Sequence, residues 1–96
     1  MKKVMVQFNI PMTSKQYDEC WDQIRKSGNS NPAGLIHHVS SQQGNNMVVV
    51  DTWESEEAFN TFGNVLMPIF AKIGINPAPP VITPVHYDYS PVEEHH

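Results

Sequence analysis

Ninety-six residues, 40% of them hydrophobic, suit one compact domain and are too few for two cores, because a chain this short buries only part of its unfolded surface. Six Lys and Arg against ten Asp and Glu give a net charge of −4, and the cations are dispersed apart from Lys2-Lys3 and Arg25-Lys26, which argues against a nucleic-acid surface. A single cysteine, Cys20, excludes an internal disulfide and a cysteine-rich zinc site, so a reducing cytoplasm is the expected compartment.

The chain opens on Met1-Lys2-Lys3 and an alternating segment in which Val4, Val6, Phe8 and Ile10 share one face and Met5, Gln7 and Asn9 the other. That period of two predicts a strand and not the continuous apolar core of a signal peptide, and no apolar run reaches the roughly 20 residues that span a bilayer. Pro11 ends the strand. Thr13 followed by Gln16 resembles a capping box, and Tyr17, Cys20, Trp21 and Ile24 form one helical stripe that should stop near Gly28. The segment from Gly28 to Gly34 is a turn-rich connector. Leu35 to Val39 reads as a second strand, Gln43-Gly44-Asn45-Asn46 as a turn, and Met47 onward as a third strand rich in valine.

Ser55 is placed to cap a second helix with Glu56 and Glu57 in its first turn, where negative charge complements the helix dipole. Phe59, Phe62, Leu66, Ile69, Phe70 and Ile73 make its apolar face, and Pro68 predicts a kink or short break around Leu66 to Pro68. After the proline-rich connector Gly74 to Pro80, residues Val81 to Tyr89 read as a last strand, with Pro84 marking an edge or a bulge. The order is strand-helix-strand, strand-helix-strand. It predicts an α+β, ferredoxin-like βαββαβ domain over residues 1–96, with a four-stranded antiparallel sheet, two helices on one face and a flexible tail at 91–96. Met47, Val48, Val49 and Val50 are apolar on both faces of the third strand, so a second copy of the chain is expected to cover the face the helices leave open.

Polar residues placed to reach the interior are the candidates for chemistry. His37 and His38 point to opposite faces of one strand, so only one faces any given cavity. By strict alternation His38 shares a face with Ile36 and Ser40, and His86 with Ile82 and Asp88. Neither spacing is a metal motif, and no metal or other cofactor is expected. Each histidine is either hydrogen-bonded within the sheet or, if His38 and His86 converge, a base. Asp51, on the face of Met47, Val49 and Trp53, is either an end-of-strand residue reaching water or an acid held for a histidine. Trp53 packs as core or turns its indole N–H to a ligand, and Asn9, Tyr17 and Tyr87 have the same two readings. Cys20 lies on an apolar stripe as a buried thiol. No Ser-His-Asp motif or phosphate-binding glycine loop is present.

The stretch from Pro32 to Val39, the segment Val50-Asp51-Thr52-Trp53-Glu54-Ser55-Glu56-Glu57-Ala58-Phe59, Leu66-Met67-Pro68 and Pro84-Val85-His86 together resemble small bacterial proteins of the dimeric α+β barrel superfamily, relatives of the antibiotic biosynthesis monooxygenase domain. The resemblance covers nearly the whole chain. It implies a homodimer and a pocket for a small apolar or aromatic ligand, and it spans many chemistries, so it does not name a reaction. The haem-degrading branch places an iron-binding histidine on its second helix. Asn9 and Trp53 map loosely onto that pattern, but no histidine occurs between Ser55 and Ile73, which argues against haem degradation. Three readings remain open: a cofactor-independent monooxygenase-like enzyme acting on a small aromatic or dicarbonyl compound, with His38 or His86 as base and Asn9, Tyr17, His37, Asp51 and Trp53 as ligand-contacting candidates; a non-catalytic small-ligand binder; and a structural homodimer. An apolar cavity of roughly a few hundred Å³ reaching His38 or His86 supports the first two, whereas close packing there favours the third.

Overall fold

Alternation at the start of the chain becomes strand β1 (Val4–Ile10), which buries Val4, Val6, Phe8 and Ile10 and leaves Gln7 and Asn9 exposed. This computed structural model describes residues 2–91, so the expected tail lies outside the described residues except for Pro91. Helix α1 (Ser14–Lys26) begins as its spacing predicts: Thr13 Oγ1 accepts the Gln16 N–H at 3.1 Å while the Gln16 side chain accepts the Thr13 N–H at 2.9 Å. It buries Cys20 and Ile24 and sets Tyr17 and Trp21 at the margin of the core. Helix α2 (Glu56–Ile73) is capped by Ser55, whose Oγ accepts the Ala58 N–H at 3.1 Å, and ends on Gly74 in the left-handed conformation.

The break expected at Pro68 is absent, and α2 runs through it. Pro68 lies on the exposed side of the helix, and the single donor it removes is offset by the burial of Ile69 and Phe70 directly after it.

Strands β2 (Leu35–Gln43) and β3 (Asn46–Trp53) form a hairpin through Gly44-Asn45. Gly44 has φ +61° and Asn45 no positive φ, the pattern of a type II′ turn, whose twist suits a two-residue hairpin. The last strand, β4 (Val81–Pro84), is shorter than the segment to Tyr89 that the sequence predicts. It pairs only with β1 in the register Val4↔Pro84, so once Val85 N–H has bonded to Lys3 O at 3.0 Å it has nothing further to pair with. The sheet order is β2-β3-β1-β4 with every neighbouring pair antiparallel, the ferredoxin-like arrangement, and the valine-rich β3 is central.

One irregularity changes which side chains face the helices. Leu35 pairs with Trp53 and His37 with Thr52, so two steps along β2 match one along β3 and Ile36 is a β-bulge. Strict alternation would put Ile36 on the face of His38. The bulge instead turns Ile36 outward, 44% exposed, and puts Leu35 on the helix-covered face with His38.

The core lies between the helices and the inner sheet face, with Val6 and Trp53 fully buried. On the outer face Met5, Val48 and Val50 are only partly buried, and Val39 and Val81 are 50% and 57% exposed. Gly34 carries the connector past the start of α2 at φ +89°, and a Cβ there would lie 2.6 Å from Ala58 Cβ. Gly44 has a positive φ but open space around it. Gly34→Ala is therefore expected to destabilise the domain by about 3 kcal/mol, combining left-handed strain with overpacking, and Gly44→Ala by about 1 kcal/mol from strain alone. Urea unfolding of the two variants checks the difference.

Candidate functional site

An apolar cavity of about 50 Å³ lies between the sheet and the helices. Phe8, Val49 and Trp53 supply its sheet side, Phe62, Leu66 and Phe70 reach it from α2, and Tyr17, Cys20 and Trp21 from α1. His38 and Asp51 are its polar wall, joined to the Tyr17 hydroxyl.

These groups form one hydrogen-bonded chain. Asp51 faces inward on β3, directly opposite His38 on β2, and is only 5% exposed. A carboxylate this deep is costly unless donors surround it. Its Oδ1 lies 2.5 Å from His38 Nδ1, and its Oδ2 accepts the Trp53 Nε1–H at 3.2 Å. The other ring nitrogen, His38 Nε2, lies 2.5 Å from the Tyr17 hydroxyl. With the carboxylate ionised, the network assigns the imidazole proton to Nδ1, and Nε2 accepts from Tyr17. Trp21 packs edge-on against the same ring, centroids 5.4 Å apart at 77°. Among the described residues no buried side-chain nitrogen or oxygen lacks a partner.

The structure thus brings Tyr17, His38, Asp51 and Trp53 together. Asp51 does not reach water as an end-of-strand residue: β3 is paired on both sides at this point, with Val6 and His38. The Trp53 N–H is taken by Asp51 and not turned to the cavity. Asn9, His37 and His86 are not brought to this site. Asn9 is exposed on the outer face, accepting from Asn46 Nδ2 at 2.7 Å. His37 is exposed opposite Thr52. His86 follows the end of β4, so the alternation that grouped it with Ile82 and Asp88 stops short of it, and it sits exposed beside Met5 and Thr52. Trp21 is the site residue that sequence reasoning passed over; its position four residues after Tyr17 on one helical stripe is the signal that finds it. Among the described residues no three His, Cys, Asp or Glu side chains group as metal ligands.

Chemically, the chain presents Nε2 as a proton acceptor. Asp51 holds the ring in the matching tautomer. The Cys20 thiol, buried in the wall, is pushed up to about 11 by desolvation and by the neighbouring Glu19 carboxylate, which makes it a poor nucleophile.

Asp51→Ala strands the His38 and Trp53 N–H groups, and should cost about 2–4 kcal/mol in urea unfolding. Cys20 in the native protein should resist iodoacetamide at about pH 8, where its thiolate fraction is on the order of one in a thousand, and react rapidly once the chain is denatured. Mass spectrometry of timed samples reads both rates.

No protein-family model matches the chain, and no curated protein matches it in sequence. Solved structures do match it in shape. SnoaB, a cofactor-independent oxygenase from Streptomyces nogalater, superimposes with a TM-score of 0.63 at 11% identity, covering 95% of this chain and 99% of its own. A candidate antibiotic biosynthesis monooxygenase from Chloroflexus aurantiacus gives 0.65 at 16% identity, with 92% and 97% covered. MupZ from Pseudomonas fluorescens gives 0.65 at 9% identity, with 90% and 74% covered. The chain therefore has the α+β ferredoxin-like fold of antibiotic biosynthesis monooxygenase-like proteins, the fold group its sequence resembles.

Proposed function

We propose that this chain is a monooxygenase-like enzyme without a bound cofactor, acting on a small aromatic or dicarbonyl compound, with His38 as the catalytic base. One observation carries the reading: a hydrogen-bonded Asp51–His38–Tyr17 chain, buried at Asp51 and partly buried at His38 and Tyr17, on the wall of an apolar cavity. The fold shared with a cofactor-independent oxygenase is consistent with it but does not transmit function, so the argument rests on the site. His38 removes an acidic proton from the substrate, and Asp51 stabilises the resulting imidazolium. The substrate carbanion then reduces molecular oxygen. Overall a CH₂ group and O₂ become a carbonyl and water, the substrate supplying every electron.

A second copy of the chain belongs to the same reading, because Val39, Val48, Val50 and Val81 form an apolar outer surface that the described residues leave partly open. Cytoplasmic surroundings complete it. Among the described residues no helix is long and apolar enough to cross a membrane. One observation favours a structural homodimer with a filled core instead: about 50 Å³ is small beside the roughly 300–1,000 Å³ of ordinary ligand pockets.

Oxygen uptake with small phenols, hydroquinols and 1,3-dicarbonyls decides between them. A substrate should consume oxygen with the native protein, and His38→Ala should lower the rate about 100-fold or more. Unchanged uptake removes the catalytic role, and thermal stabilisation without uptake identifies a binder. In light scattering at low micromolar concentration the mass should be about twice 10.9 kDa, and a value near 10.9 kDa removes the dimer.

A further inference from the structure

The hydrogen-bond inventory of the polar wall is more specific than its general basicity. Asp51 is an acceptor at both oxygens, which already take N–H groups from His38 and Trp53. His38 donates through Nδ1 and accepts through Nε2, which uses both of its nitrogens. The hydroxyl hydrogen of Tyr17 is committed to His38 Nε2, and its oxygen keeps a lone pair. While the imidazole is neutral, every position left open on this network is therefore an acceptor. A carbonyl or ether oxygen finds no donor on it, and would have to turn to the Trp21 indole N–H or the weak Cys20 thiol. Among the described residues no Lys or Arg lines the cavity to hold a carboxylate or phosphate.

We propose that the site selects uncharged, hydroxyl-bearing ligands, and that Tyr17 Oη receives the ligand's hydrogen bond and relays its proton to His38. This narrows the proposed function above and rests on its reading of the cavity as a ligand site. The step balances. The ligand O–H breaks as a new O–H forms on Tyr17, while the original Tyr17 O–H breaks as an N–H forms on His38 Nε2. The products are a ligand oxyanion and an imidazolium paired with Asp51. Tyr17 is then a catalytic residue, because it touches the reacting oxygen, and His38 acts one bond further back. A ring carrying one hydroxyl matches a wall with one polar end and apolar surfaces elsewhere, whereas a dicarbonyl presents only acceptors in its keto form.

The test is calorimetric titration of the full chain with phenol and with anisole, its methyl ether, at about pH 8.5, where ordinary imidazoles are neutral. Phenol should bind about tenfold or more tightly than anisole, with the ultraviolet band of phenolate appearing on binding. His38→Ala, which leaves Tyr17 Oη in place and removes the proton's destination, should keep the preference for phenol and abolish that band. If that variant does not fold, the comparison in the native protein decides alone. Equal binding of phenol and anisole overturns the hydroxyl selection while leaving the cavity a ligand site. A phenolate band that survives His38→Ala, or a preference for phenol that is lost in it, overturns the relay. Binding of neither at millimolar concentration removes the cavity as a ligand site and this inference with it.

Discussion

A carboxylate in the middle of a sheet, between valines and beneath two helices, is the constraint on which the arrangement depends. Asp51 is stable there only because N–H groups reach both of its oxygens. One comes from Trp53, two residues along the same face of β3, where the alternation of a strand brings it without further adjustment. The other comes from His38 across the strand pair, and that contact fixes the β2–β3 register against slippage. A shift by one residue would send His38 to the outer face and leave the carboxylate unpaired.

Several local features follow from this requirement. The bulge at Ile36 lets Leu35 cover Trp53 while His38 faces Asp51, two inward residues separated by three positions where a regular strand allows only even spacings. Helix α1 is held to the sheet through Tyr17, whose hydroxyl closes the far side of the imidazole, and through Trp21, whose ring packs on it. The apolar stripe of α1 and the polar contact of its first turn thus agree on one helix position. The surface ion pairs contribute far less to that agreement: Lys3–Asp88 and Arg25–Asp22 are about half exposed, where such pairs are worth at most about 1 kcal/mol.

Much of the fold was legible in the sequence because the signals were local. The alternation of Val4 to Ile10, the Thr13 and Gln16 capping box, the Ser55 cap and the order of the elements all find their counterparts in the structure. What was not legible depends on contacts between elements. Nothing near Ile36 marks a bulge, since the bulge is a mismatch with β3, and the end of β4 is set by where β1 begins. The site divides in the same way. That Asp51 is unusual among valines, and that His38 and Tyr17 occupy patterned faces, can be read from spacing. That Asp51 bonds to His38 while His86 lies on the far side of the sheet cannot, because it requires the register of one pair of strands and the endpoint of another.

The placement of the network within the cavity has its own physical consequence. Trp53 meets Phe59 edge-on and Phe62 at a tilt, with ring centroids 5.7 and 5.5 Å away, which leaves an apolar floor with little spare volume. Tyr17, Trp21, Leu35 and His38, by contrast, are only partly buried and form the margin between α1 and β2. Exposure falls from 22% at the His38 side chain to 7% at Asp51, so the imidazole lies between solvent and the buried charge. A ligand of the proposed kind, entering at this margin, would meet its hydrogen-bonding partners first and pass its apolar part inward. The carboxylate stays in the interior, where the N–H groups of His38 and Trp53 offset the cost of its burial. Partial exposure of the imidazole and near-complete burial of its partner are therefore complementary: the ring reaches the margin of the cavity, and the carboxylate beneath holds it there in one orientation.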